Sequence, residues 1–129
     1  MQERREGRRR FPPGRLPLAA ALLALGPSPT AAAPARPPSF ARDVAPVLGR
    51  WCVPCHGATA RHGGLRLDEY LWVMRGGETA PAVAPGDPAG SLLVAKIERR
   101  SRPAMPPRRT LPPALVARLR AWVAAGAPP

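Results

Sequence analysis

The chain has 129 residues, enough for one ordinary domain, with a formal charge of +12 and 20 prolines. Large apolar side chains are few, with three Trp, two Phe and one Tyr. A core this thin is marginal by itself. The basic balance excludes little until it is mapped. Six of the twenty basic residues lie before residue 16, and the others are scattered with no aromatic-basic stripe, so nucleic acid is not the expected partner. An acidic protein partner fits the charge better.

In chain order, residues 1–35 read as an export signal. Arg4, Arg5, Arg8, Arg9, Arg10 and Arg15 form a positive start. Leu16 to Gly26 is a short apolar run, and Ala31-Ala32-Ala33 and Ala33-Pro34-Ala35 are small-x-small cleavage patterns. Eleven apolar residues are too few for a helical membrane span, so the expectation is removal after export, with no permanent span in residues 36–129. Phe40, Val44, Val47, Leu48 and Trp51 then recur with helical period. Pro46 cannot sit deep inside that helix. The pattern predicts a start at Asp43 as N-cap, with a kinked helix from Ser39 as the alternative.

The helix runs into Cys52-Val53-Pro54-Cys55-His56, which holds both cysteines of the chain. That spacing reads as c-type haem attachment: two thiols for two vinyl groups, and an adjacent imidazole placed to ligate the iron. A covalently held cofactor would also supply apolar surface that the core lacks. Three other readings compete. Trp51-Cys52-Val53-Pro54-Cys55 resembles the redox dithiol of thioredoxin-like proteins, which predicts an exported thiol–disulfide protein. Such a dithiol needs a strand before it and a helix after it, whereas here a helical period precedes and a Gly-rich loop follows. A plain disulfide and a zinc site from Cys52, Cys55, His56 and His62 complete the set, the latter lacking a second spaced ligand pair.

Beyond the motif, Asp68 is expected to cap a short helix from Glu69 to Met74, stopped by Gly76-Gly77. Ser91 is expected to cap another from Leu92 to Arg99. The sixth iron ligand should come from a distant methionine. Met74 sits at an apolar helix position, where packing is the default, and loop His62 is a lesser candidate. Met105 lies in a proline-bounded loop 49 residues after His56, where a thioether can be held at small entropic cost. Leu115, Leu119, Trp122 and Val123 stripe a final helix, opened by Pro113 and stopped by Gly126. Trp122 is expected to pack against the first helix or the cofactor edge.

Taken together, residues 40–127 resemble the planctomycete-type cytochrome c domain, a compact variant of the class I cytochrome c fold. The resemblance runs through Asp43-Val44-Ala45-Pro46-Val47-Leu48, Cys55-His56-Gly57 and Gly63-Gly64-Leu65-Arg66-Leu67-Asp68. It continues in Pro85-Gly86-Asp87-Pro88, Ser91-Leu92-Leu93, Met105-Pro106-Pro107 and Ala121-Trp122-Val123-Ala124-Ala125-Gly126-Ala127. It implies an all-α fold of three to four helices around one covalent haem c, in a domain over residues 36–129. It also implies Cys52 and Cys55 as thioether attachments, with His56 and Met105 as iron ligands. The expected function is that of an exported, periplasmic one-electron carrier serving a redox partner protein. No acid–base or nucleophile pair suggests an enzyme.

Overall fold

The computed structural model describes residues 36–129, and the export signal expected over residues 1–35 lies outside the described residues. The first helical segment starts at the earlier of the two expected points. Ser39, not Asp43, is the N-cap, and its hydroxyl accepts the Arg42 N–H at 3.4 Å. Asp43 instead reaches back, its carboxylate accepting the Ser39 N–H at 2.8 Å, a reciprocal arrangement in the manner of a capping box. That bond, opposed by burial and helped by Arg42, holds the Asp43 carboxyl below its ordinary value.

Pro46 explains the unusual opening. Its ring would clash with the carbonyl four residues back, and it has no N–H to donate. The chain answers with a π-turn over Phe40–Val44, in which the Ala45 N–H reaches five residues back to the Phe40 carbonyl. A regular helix α1 then runs Ala45–Trp51, with the proline harmlessly in its first turn. Phe40, Val44, Val47 and Leu48 bury one face of this segment.

Three further α-helices follow: α2 (Tyr70–Arg75), α3 (Leu92–Ile97) and α4 (Pro113–Ala124). Among the described residues there is no strand, only an isolated bridge between His56 and Arg61, so the architecture is all-α. No helix among the described residues is long and apolar enough to cross a membrane.

Of two expected caps, one is displaced and the other stands in place without a side-chain bond. Glu69, not Asp68, precedes α2, and it makes no side-chain cap bond. Asp68 is engaged elsewhere, taking both Arg66 Nε and Nη2 at 3.0 and 2.8 Å in a fork that also reaches Glu69. The paired guanidinium is thereby almost wholly buried, and it lies over the Trp72 ring at 4.5 Å. Ser91 is the N-cap residue of α3, as expected, but its side chain makes no cap bond there. Its buried hydroxyl accepts the Ala84 N–H at 2.8 Å and donates to the Asp87 carbonyl, pinning the proline-rich loop between α2 and α3. Helix α3 also ends at Ile97, two residues short of the expected Arg99, which has a positive φ of 63°.

Helix α4 forms as its pattern predicts, with Pro113 in the first turn and Gly126 beyond its end at φ 92°. Trp122 packs on the opening segment, its ring centroid 5.9 Å from that of Phe40, which in turn meets Tyr70 edge-on at 5.5 Å. The C-terminal tail clasps this junction. Trp122 Nε1 donates to the Pro128 carbonyl at 2.7 Å, Tyr70 Oη donates to Ala127, and the Phe40 N–H donates to Pro128. The buried core thus joins the π-turn, α1, α3 and α4 with Val73 of α2 and the loop residues Leu67, Ala82, Val83 and Leu111.

Candidate functional site

The motif begins where α1 ends. Cys52 is the C-cap of α1, its N–H donating to the Leu48 carbonyl at 2.8 Å. The Cys55 and His56 N–H groups both turn back to the Cys52 carbonyl, at 3.1 and 2.9 Å, so the two thiols and the imidazole are carried on one tight turn. The next loop is tied to that turn. Leu67 N–H donates to the His56 carbonyl at 2.7 Å, and His62 N–H to that of Cys55 at 3.2 Å.

Beside the turn lies a cavity of about 690 Å³, within the range usual for cofactor sites. Its wall is almost entirely apolar. Cys52, Cys55 and His56 line it, and so does Met105, brought there from 49 residues away. The Met105 N–H donates to the Lys96 carbonyl at 3.1 Å, fixing the proline loop against the end of α3. Leu65, Leu67, Ala82, Leu93 and Ile97 supply the inner wall. Met74 is absent from the lining and packs half-buried against the core. His62 lines the cavity from an exposed position, with its ring 6.3 Å from that of His56.

Gly77 shows how closely the walls are drawn together. A Cβ there would come within 2.7 Å of the Gly63 carbonyl oxygen, so only glycine lets these two cavity-lining loops meet. Gly76, at φ 80°, turns the chain out of α2 into that contact.

The chemistry of the groups separates the competing readings. Cys52 and Cys55 are both free thiols. Burial, with a smaller effect from Cys55, pushes the Cys52 thiol up to about 11. A redox dithiol requires the reverse, a thiolate favoured by a helix N-terminus; here Cys52 stands at a helix C-terminus, where the dipole opposes negative charge. With no strand before it either, the thioredoxin-like alternative finds no support. Among the described residues no three His, Cys, Asp or Glu side chains gather as a metal-holding group, which removes the zinc reading of Cys52, Cys55, His56 and His62.

The same residues suit a haem. The His56 Nδ1 is buried without a hydrogen-bond partner, an orphaned polar atom that ordinary packing does not leave. Burial pulls this imidazole below its ordinary value; the backbone of His62 opposes that pull and its charge adds to it. A neutral imidazole is the form that ligates iron. Two thiols, one imidazole and one thioether around an apolar space form the donor set of a covalently attached haem and do not suit a hard cation.

Several lining residues were not singled out in the sequence. Trp51 reads there only as a helix-face residue, yet it lines the cavity, with the Arg109 guanidinium 4.7 Å from its ring. Lys96, Arg108 and Arg109 also line it. For Lys96 a signal existed, since Leu92, Leu93, Lys96 and Ile97 share one side of α3 and all four face this space. For the arginines there was none, because 19 of the 20 basic residues of the chain are Arg.

Comparison with known proteins adds one finding. Residues 52–109 match the family Planctomycete cytochrome C, a stretch that begins at the first cysteine and ends beyond the Met-Pro-Pro loop. It leaves out α1 and α4, over which the sequence resemblance also extends. No curated protein and no solved structure matches the chain. The family match covers 58 of the 129 residues and falls within the stretch over which the sequence resembles a planctomycete-type cytochrome c domain.

Proposed function

We propose that this protein is an exported single-haem c-type cytochrome that carries one electron at a time between partner proteins. The observation that carries this reading is the meeting of Cys52, Cys55, His56 and Met105 on the wall of one apolar cavity. When bound, haem supplies a one-electron iron couple, which none of the twenty side chain types provides alone. The protein's own contributions follow from its residues. Cys52 and Cys55 would hold the haem through thioethers to its two vinyl-derived side chains, and His56 and Met105 would be the side chains that hold its iron. A thioether stabilises ferrous iron, which suits reversible transfer at a raised potential. Leu65, Leu67, Leu93 and Ile97 keep water from the ring and lower the local dielectric.

The test is direct. Protein expressed with a c-type haem maturation system should carry, after denaturation, the mass of one haem above the processed polypeptide. Replacing both cysteines by alanine should abolish it. A colourless, active protein with an internal Cys52–Cys55 disulfide would refute the proposal.

A further inference from the structure

The segment that follows the haem motif alternates, and the structure uses both of its sides. Leu65 and Leu67 line the cavity, whereas Arg66 between them does not. An arginine turned away from a site ordinarily meets solvent, yet Arg66 is only 9% exposed. Its Nε donates to Asp68 Oδ1 at 3.0 Å, and its Nη2 donates to Asp68 Oδ2 at 2.8 Å and to Glu69 Oε1 at 3.1 Å. Its guanidinium lies over the Trp72 ring at 4.5 Å, and those of Arg61 and Arg75 stand 6.0 and 5.0 Å from the same ring. Trp72 thus gathers arginines from three parts of the chain: the loop after the motif, the Leu65–Leu67 segment and α2 itself.

Two backbone attachments of His56 lead to that ring. On one side His56 pairs with Arg61 in an isolated bridge, closed by the Gly57 N–H to the Ala60 carbonyl at 2.7 Å and the His62 N–H to the Cys55 carbonyl at 3.2 Å. On the other the Leu67 N–H, next to Arg66, donates to the His56 carbonyl at 2.7 Å. The buried Nδ1 of the imidazole has no hydrogen-bond partner, so the direction of the ring depends on the backbone that carries it. A buried guanidinium is tolerated only while it is paired, and sliding the Leu65–Leu67 segment would break three hydrogen bonds and the stack together. The clamp therefore resists even small displacements of this segment.

We propose that Arg66 is a positioning residue for His56: gripped by Asp68, Glu69 and Trp72, it fixes the Leu65–Leu67 segment and, through the Leu67–His56 backbone bond, the plane in which the imidazole stands. The inference rests on the cytochrome reading above and adds to it the residue that sets the orientation of one proposed iron ligand. The role asks for arginine and not lysine, because a planar fork meets a carboxylate with two bonds while stacking on an indole, whereas an ammonium is a point charge.

The test records proton magnetic resonance of the ferric, haem-loaded protein saturated with cyanide, beside its urea midpoint. Cyanide is linear and has no rotational preference about its bond to iron, so the spread of the haem-methyl resonances follows the plane of the imidazole. Arg66→Lys keeps the charge but loses the fork, and should change the order or spread of those resonances. Asp68→Asn keeps an acceptor beside Arg66 but removes its charge, and should change them in the same sense by less. Trp122→Phe loses a hydrogen bond to Pro128 outside this cluster, and shows what a loss of stability alone does to the spectrum. If Arg66→Lys fails to mature with haem, Asp68→Asn is compared with Trp122→Phe in its place, with the same ranking expected. A lowered urea midpoint with a haem-methyl pattern no more changed than in Trp122→Phe would make Arg66 a purely structural residue and overturn the proposal. Absence of covalent haem from the unmodified protein would instead sink the proposed function, so the two failures are distinguishable.

Discussion

Removing the haem should unfold this domain, and the size of the effect can be worked from the cavity. Unfilled space in a protein interior costs about 24 cal/mol per Å³, so about 690 Å³ corresponds to about 17 kcal/mol if it were sealed and empty. It is neither, because Cys55, His62 and Arg109 on its wall are exposed and water can enter at the mouth. Taking about one third of the volume as deep and dry leaves about 5 kcal/mol, already at the low end of the total stability of a natural domain. The perturbation is Cys52→Ala with Cys55→Ala, purified free of haem. The substitutions themselves remove one sulfur each and cost only about 1 kcal/mol apiece. The assay is far-ultraviolet circular dichroism through a urea titration, beside the haem-loaded protein. We expect a cooperative transition for the loaded protein, and for the haem-free variant a sloping, non-cooperative signal with little helix. A haem-free variant that melts cooperatively within about 1 kcal/mol of the loaded protein would refute the reasoning, since the cavity would then be tolerated without a ligand.

The two methionines offer a controlled comparison. Met105→Ala should abolish the weak far-red sulfur-to-iron absorption, admit cyanide and lower the reduction potential, whereas Met74→Ala should keep the band and cost about 1–2 kcal/mol of packing. The reverse pattern would exchange their roles, and loss in neither would direct attention to His62. Acid should destabilise the loaded protein in a defined window. Asp43, Asp68 and Glu98 are all held below their ordinary values of 3.8, 3.8 and 4.5, by the Ser39 backbone, Arg66 and Arg100 respectively. Stability from these groups is therefore complete above those ordinary values and is lost as the pH falls through the lower folded ones. Urea midpoints should be flat from pH 7 to about 5 and fall below about 4, and Glu98→Gln should make that fall shallower. At the C-terminal clasp, Trp122→Phe removes the donor to the buried-side Pro128 carbonyl and should cost about 1–2 kcal/mol in chemical denaturation, with the haem spectrum unchanged.

Much of the site was legible because its information is local. Cys52, Cys55 and His56 sit on one turn, so their spacing along the chain is nearly their spacing in space. The choice of Met105 over Met74 was legible through a different signal, since proline-bounded loops and helix faces present side chains in different ways, and the structure puts only Met105 on the cavity wall. The caps were not legible in the same way. Ser91 stands at the N-cap of α3 and Asp68 one residue before that of α2, yet the side chain of each finds another partner: Asp68 the buried Arg66, and Ser91 the backbone of the Ala84–Asp87 turn. For Asp68 a cap bond contributes about 1 kcal/mol, whereas leaving a buried guanidinium unpaired costs several, so the carboxylate goes to Arg66 two residues back. Asp43 shows the same competition within a single turn, where Pro46 moves the helix start back to Ser39 and turns the expected cap into its reciprocal partner.

The arginines show why composition can hide a surface. Nineteen of them in 129 residues make each one uninformative along the sequence, and only the fold sorts them. Arg66 is drawn inside by two carboxylates and the Trp72 face, bracing the loop that follows the haem motif. Arg100 and Arg120 share Glu98 and tie the end of α3 to α4. Arg108 and Arg109 have no acid to take, and the chain places them immediately after Met105-Pro106-Pro107. The loop that carries Met105 to the cavity wall therefore also carries two arginines to it.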